Sequence, residues 1–246
     1  VPIEEARSKI YLMDRRGLIL QSYKAGSTEQ QHVYAKPDED WTGVNTKSLF
    51  NIVSQVKPTC LVGCSTQASA FTKDIIQEMY KHNPRPIVFP LSNPTRLHEA
   101  VPEDLMKWTN NDALVATGSP FEPVNGYRIS QNNNCYSFPG IGLGAVLSRA
   151  SCISDRMISA AVDELASLSN LKEGDSTPGL LPGLEVITHT SSRIAAAVIL
   201  KAIEEGVATI EQQLDPANPG QTIKVPRDFD ECVEWVKGQM WDPIYR

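Results

Sequence analysis

Four short polar segments follow apolar runs in this chain. If those runs are parallel strands, these segments are where a ligand meets the protein, because open α/β sheets bind ligands beyond the carboxyl ends of their strands. Asp14 closes the run Ile10-Tyr11-Leu12-Met13 and precedes Arg15-Arg16-Gly17. A carboxylate placed there accepts hydrogen bonds from both ribose hydroxyls of an adenosine, although an acid after a strand is also common without any ligand. Gly63-Cys64-Ser65-Thr66 follows a second run, Leu91-Ser92-Asn93-Pro94-Thr95 a third, and Gly118-Ser119-Pro120-Phe121 a fourth. The Asn93 amide can donate to a carboxylate or a carboxamide; equally, Asn before Pro starts many ordinary turns. Further along, Gln131-Asn132-Asn133-Asn134 lines up four amides, which offer donors and acceptors without charge or simply form a solvated loop.

Other kinds of chemistry find no pattern. His32, His82, His98 and His189 form neither an i, i+4 pair nor HExxH, and surface placement is the default for each. There is no G-x-S-x-G elbow and no G-x-x-x-x-G-K loop. Asp38-Glu39-Asp40 reads as a solvated charge run. Gly140-Ile141-Gly142-Leu143-Gly144 imitates a phosphate-binding fingerprint, but it follows Phe-Pro rather than a strand, so helix packing explains it better. No catalytic residue and no metal ligand is assigned.

The elements that must position these residues alternate. Strands are expected at Ile10–Asp14, Thr59–Cys64, Pro86–Pro90 and Ala113–Thr117. Between them lie helical stretches over 48–56, after a Thr72 cap, and from Pro102, where Pro suits the first helical position. A short helix, Ile3 to Lys9, precedes the first strand, and residues 21–45 read as a polar surface excursion. That order predicts an α/β fold, a parallel sheet with helices on both faces. From Asn134 only helices follow: one from Phe138, one after Ser154, one through Ile194–Ile203, and a closing helix between Arg227 and Trp241. Small residues at Gly140, Gly144 and Ser148 predict the close approach of another backbone, and the apolar faces of the first three of these helices need cover. Turn-rich loops are expected at 174–179 and 215–220.

Composition limits the partners. The 246 residues are 41% hydrophobic and 21% charged, with a net charge of -6. That is ordinary for a globular protein and argues against nucleic acid as a partner. No run of about 20 apolar residues suggests a bilayer span. Cys60, Cys64, Cys135, Cys152 and Cys232 make an odd count, which fits reduced thiols; Cys60 and Cys64 read as buried strand residues. The chain opens on Val1 at the end of a helix, and a Gly-rich phosphate loop belonging with Asp14 would fall about 20 residues earlier. The sequence is therefore expected to be the C-terminal portion of a longer polypeptide.

Three segments read together resemble the malic enzymes: Pro90-Leu91-Ser92-Asn93-Pro94-Thr95, Ala116 through Val124, and Asn133 through Gly144. Ile10–Leu18 is similar to the family's second Rossmann strand and Thr59–Phe71 to its next. The likeness covers most of Val1 to about Gly206, and the tail from Val207 matches only loosely. It implies a Rossmann-like sheet followed by a helical region. The domains would be a partial dinucleotide-binding domain at 1–133, helices at 134–206 that pack on the N-terminal part, and a tail at 207–246.

The resemblance implies oxidation of L-malate by NAD, with NADP as the alternative, then decarboxylation to pyruvate helped by Mg²⁺ or Mn²⁺ as Lewis acid. It assigns Asp14 to the adenosine ribose, Cys64 and Ser65 to the wall of the nucleotide site, Ser92 and Asn93 to the nicotinamide side, and Asn93 with Asn134 to the malate carboxylate. The proton-moving Tyr and Lys, and the Glu and two Asp that hold the metal, lie upstream of the matching segment. The chain alone is then expected to be inactive, its partner being the N-terminal half of the same polypeptide in a homodimer or homotetramer, in the cytoplasm or mitochondrial matrix. A malolactic enzyme, which releases lactate and retains NAD, and a truncated nucleotide-binding module are the alternatives.

Overall fold

The computed structural model describes residues 1–23, 27–169, 171 and 179–241. The chain divides into two units, Val1–Asn125 and Gly126–Arg246. Most of the turn-rich stretch expected at 174–179 lies outside the described residues.

The first unit begins with α1 (Ile3–Ser8), the hairpin β1 (Met13–Asp14) and β2 (Gly17–Leu18), and α2 (Glu29–His32). Thr28 and Gln31 form a capping box on α2. Then come α3 (Leu49–Val56), β3 (Cys60–Gly63), α4 (Lys73–His82), β4 (Ile87–Pro90), α5 (Pro102–Trp108) and β5 (Leu114–Thr117). Ser48 starts α3 by accepting from the Asn51 N–H at 3.3 Å, and Pro102 opens α5 with Glu103 and Asp104 in its positive first turn. β3, β4 and β5 pair in parallel, with Cys60 opposite Ile87 and Ile87 opposite Leu114. Val88 and Val115 of the strands, Ile76 and Met79 of α4, and Leu105 and Met106 of α5 are buried. This is the alternating α/β pattern that the sequence predicts.

Three expectations need correction here. Only Met13–Asp14 of the expected first strand is extended in a ladder, and it pairs antiparallel with Gly17–Leu18 rather than joining the parallel series. The chain reverses at once because Gly17 adopts φ 125° and lies against the Thr46 carbonyl, where any Cβ would come within 2.8 Å of that oxygen. Cys60 and Cys64 are exposed, not buried. β3 stands at the end of the strand order, so its alternate residues Cys60 and Val62 look outward. His98, finally, is 4% exposed rather than a surface residue.

The polar excursion over 21–45 also hides structure. Trp41 is buried with Leu18 and Ile52, and its ring meets Tyr11 edge-on at 6.3 Å. Lys36 is buried as well: its ammonium donates to the Ser8 carbonyl at 2.6 Å and the Arg7 carbonyl at 3.3 Å, completing the end of α1. Its Nζ sits 4.2 Å from the centre of the Tyr11 ring.

The second unit contains β6 (Ser130–Gln131), α6 (Phe138–Ser148), α7 (Asp155–Ser167), α8 (Ile187–Glu204) and α9 (Phe229–Gln239). α8 is its axis. Ile194, Val198 and Ala202 pack with Met157 and Ala161 of α7, while Ala195, Ala196 and Ile199 pack with Cys232, Val233 and Val236 of α9. The helices therefore cover one another, leaving Phe138, Val146, Ile158 and Val162 as the large apolar side chains that stay exposed on α6 and α7. α6 meets α8 through its glycines, as the small-residue spacing predicts. A Cβ on Gly140 would fall 2.7 Å from Ile194 Cβ, and one on Gly144 2.8 Å from Val198 Cβ. The segment Leu184–Glu204 is long and apolar enough to cross a membrane by length and composition, contrary to the reading of the bare sequence. Half of it is buried by its neighbours, as in the core helix of a globular unit.

Candidate functional site

The turns after β3, β4 and β5 form one hydrogen-bonded rim. Ser92 Oγ, at the end of β4, donates to Glu99 Oε1 at 2.5 Å and accepts from the Thr66 N–H of the β3 turn at 2.8 Å. The Ser65 N–H and hydroxyl donate to the same Glu99 oxygen at 2.8 and 3.0 Å. On the other side, Ser119 Oγ of the β5 turn donates to Asn93 Oδ1 at 2.5 Å. Gly118 allows this contact, because a Cβ there would lie 2.2 Å from the Leu91 carbonyl oxygen. The Asn93–Pro94 bond is cis. Ser65, Ser92 and Asn93, which the sequence singles out separately, thus lie on one rim. Cys64 and Asn93 are exposed, whereas Ser92 is buried.

Asp14 sits on the β1–β2 hairpin with its carboxylate fully engaged. Oδ1 accepts from the Arg16 N–H at 2.8 Å and the Tyr23 hydroxyl at 3.2 Å. Oδ2 accepts from Arg16 Nη2 at 2.7 Å and Nε at 3.2 Å. The Arg16 guanidinium, which also lies 4.2 Å over the Tyr23 ring, holds the Asp14 carboxyl below the usual carboxylate range. The group is thus ionised at neutral pH, and four donors occupy roughly the four lone-pair positions that a carboxylate offers.

Asn134 belongs to the second unit. It begins a 3₁₀ turn, Asn134–Tyr136, which the neighbouring Asn133 side chain caps by accepting from the Cys135 N–H at 3.0 Å. The Tyr136 hydroxyl donates to the Pro182 carbonyl at 2.8 Å, pinning the turn and leaving the Asn134 amide exposed.

Two residues that organise the rim carried no sequence signal. Glu99 and His98 are consecutive, and their burial follows only from the turns that converge on them. His98 Nδ1 lies 3.2 Å from the Pro90 carbonyl oxygen, and its ring meets Phe121 edge-on at 5.1 Å. Among the described residues, no group of three or more His, Cys, Asp or Glu side chains is placed to hold a metal ion. An uncharged donor rim suits the recognition of a ligand's carboxylates and carboxamides, and the ionised Asp14 on its hairpin suits hydroxyls.

Comparison with known proteins agrees with this architecture. Residues 1–203 match the family described as malic enzyme, NAD binding domain. The chain is 75% identical over 244 residues to the mitochondrial NAD-dependent malic enzyme of Saccharomyces cerevisiae, covering 99% of this chain and 36% of that protein. It is 43% identical over 250 residues to NAD-dependent malic enzyme 1 of Vibrio vulnificus, covering 99% of this chain and 42% of that one. The chain thus spans well under half the length of these curated relatives. Among solved structures, the malic enzyme of Pyrococcus horikoshii aligns with a TM-score of 0.53 at 29% identity, over 76% of this chain and 35% of that one. The Entamoeba histolytica malic enzyme aligns with a TM-score of 0.65 over 95% of this chain and 49% of its own, and at 22% identity it supports the fold alone. With a family match over more than three-quarters of its length and the Rossmann-like sheet in place, the chain belongs to the malic enzyme NAD-binding domain family.

Proposed function

We propose that this chain supplies part of the NAD and malate sites of a malic enzyme, which oxidises L-malate to pyruvate and CO₂ while reducing NAD. The observation that carries the reading is the rim that joins Ser65, Ser92, Asn93 and Ser119 at the carboxyl ends of three parallel strands. In this reading Asp14 takes the adenosine ribose, Cys64 and Ser65 wall the nucleotide, Ser92 and Asn93 face the nicotinamide, and Asn93 with Asn134 bind the malate carboxylate. Hydride transfer to the nicotinamide is the chemistry that NAD supplies; these side chains bind and orient.

Asp14 also supports NAD over NADP. An ionised carboxylate repels a 2′-phosphate, and Arg16 neutralises Asp14 at 2.7 Å instead of standing apart as an anion receptor. The proton-moving Tyr and Lys and the metal-holding carboxylates that the resemblance implies are placed outside this sequence. Turnover is thus expected when a chain carrying them is present, as a homodimer or homotetramer, and the mitochondrial name of the Saccharomyces cerevisiae relative supports the matrix as the place.

The test is an assay with malate, NAD and Mn²⁺ together with product analysis and the mass of every chain in the particle. NADH and pyruvate, formed only when an upstream-derived chain is present, support the reading. Lactate without free NADH would transfer it to the malolactic reaction, which the named relatives do not favour. Pyruvate from a verified 27.1 kDa species would refute the division of the site between this sequence and an upstream part.

A further inference from the structure

Nothing assigned so far explains Glu99, whose side chain has no exposed surface. A carboxylate removed from water is costly unless donors satisfy its oxygens. All of its side-chain bonds go to the turns after β3 and β4. Oε1 takes the Ser65 N–H, the Ser65 hydroxyl and the Ser92 hydroxyl, and Oε2 takes the Ser92 N–H at 3.4 Å. Burial alone would push the Glu99 carboxyl up, but the hydrogen bonds from Ser92 and Ser65 outweigh it and hold the group below its usual range. Room for it comes from Gly63, where a Cβ would lie 2.6 Å from Glu99 Cδ and 2.8 Å from the Phe71 ring. The backbone is fastened on the same side. The Glu99 carbonyl accepts from the Phe71 N–H at 2.9 Å, and the His98 carbonyl accepts from the Ser69 N–H at 3.0 Å.

We infer that Glu99 is a positioning residue for the cofactor, a buried clasp that sets the separation of the Ser65 and Ser92 turns so that the neighbouring Cys64 and Asn93 meet the ligand in one arrangement. The inference rests on the NAD reading above and adds the residue that fixes its geometry. If Glu99 served only the core, its bonds would run to core elements. They run instead to two turns that carry the expected ligand contacts, and Ser92 relays the clasp to Thr66. Misplacement of binding groups by a fraction of an ångström is enough to weaken a ligand.

The experiment is a calorimetric NAD titration of the particle that holds this chain together with the upstream-derived part, as wild type, Glu99→Gln, Ser92→Ala and the double variant, with a urea midpoint for each. Gln keeps the size and one acceptor oxygen but removes the charge. Glu99→Gln is expected to raise the Kd for NAD by about ten-fold, the scale of one hydrogen bond to a charged group. On the Ser92→Ala background the same change is expected to cost less than about two-fold, because the clasp is already open. Hydrogen exchange at 64–69 should quicken in Glu99→Gln while that of α8 stays as in wild type. Should Glu99→Gln fail to fold, Glu99→Asp, which withdraws the charge by one methylene, carries the same cycle. Unchanged affinity, or losses that multiply independently in the double variant, would overturn the positioning role and leave the NAD reading standing. A folded wild-type particle, upstream-derived part included, that binds no NAD would overturn both.

Discussion

Ser119 Oγ donates a 2.5 Å hydrogen bond to the side-chain oxygen of Asn93, and this bond decides which end of the amide is spoken for. Among the described residues the Asn93 nitrogen donates only to the Leu91 carbonyl, at 3.4 Å. Its N–H groups are therefore available to an incoming acceptor, which is what a carboxylate or a carboxamide oxygen needs. Ser119→Ala frees the amide to rotate. NAD affinity, read from NADH fluorescence titration, should fall by about three-fold, while the unfolding free energy from urea titration changes by less than about 1 kcal/mol because the bond is exposed.

Arg16 competes with any ligand of Asp14. Its side chain and backbone supply three of the four donors on that carboxylate, and a ribose hydroxyl must displace one of them. Arg16→Gln should tighten NAD by about three-fold by releasing a charge-assisted bond. NADP, left facing an unneutralised carboxylate, should weaken. Paired titrations with both cofactors check this, and a gain for NADP would show that Arg16 is a guard rather than a competitor.

The glycines of α6 predict opposite signs two residues apart, on opposite faces of the helix. Gly144→Ala drives a methyl against Val198 and the Ala195 carbonyl oxygen, 2.8 and 2.9 Å away, and the backbone atom cannot yield. It should destabilise by about 1–3 kcal/mol even though Ala favours helix. Gly142 has nothing within 4 Å of the same methyl, so Gly142→Ala should stabilise by about 0.5–1 kcal/mol. Urea unfolding of the two variants decides whether α6 lies on α8 in this register.

Stability should fall on both sides of neutrality for separable reasons. Asp14 and Glu99 have folded pKa values below the unfolded ones, so their contribution is complete above about pH 5 and is lost as pH falls through the folded values. Glu99→Gln should flatten that acid limb.

On the alkaline side, burial pushes the Cys232 thiol up to about 11. Between about pH 9 and 11 the unfolded chain has released a proton that the folded one keeps, and stability drops as pH rises. Cys232→Ala should remove that drop. The same burial predicts thiol labelling: Cys60, Cys64 and Cys152 are exposed and should react in the folded protein, Cys232 only after unfolding.

Much of the fold was legible because its signals are short-range. Ser154 capping α7, Pro102 opening α5 and the apolar runs of β4 and β5 each depend on a few adjacent residues, and the structure has them where the sequence predicts. The rim was legible as three turns but not as one object. Glu99 looks like any acid before an α-helix, and only the arrival of Ser65 and Ser92 from elsewhere in the chain makes it a buried one. Trp41 and Lys36 hid in a polar stretch for the same reason: their partners, Ile52 and the carbonyls of α1, are distant in sequence. The burial of β3 was misread because an apolar run does not say whether its strand has neighbours on both sides.

Gly63 has no side chain, and the carboxyl of Glu99 occupies the place where one would be. The two positions thus share a single volume. Neither is free to drift alone: any larger residue at 63 demands a shorter one at 99, and a shorter residue at 99 leaves a polar void beneath both serines. An engineer who redesigns the ligand rim must treat this pair as one site with one choice, and single-position libraries at either residue will return little but the starting sequence.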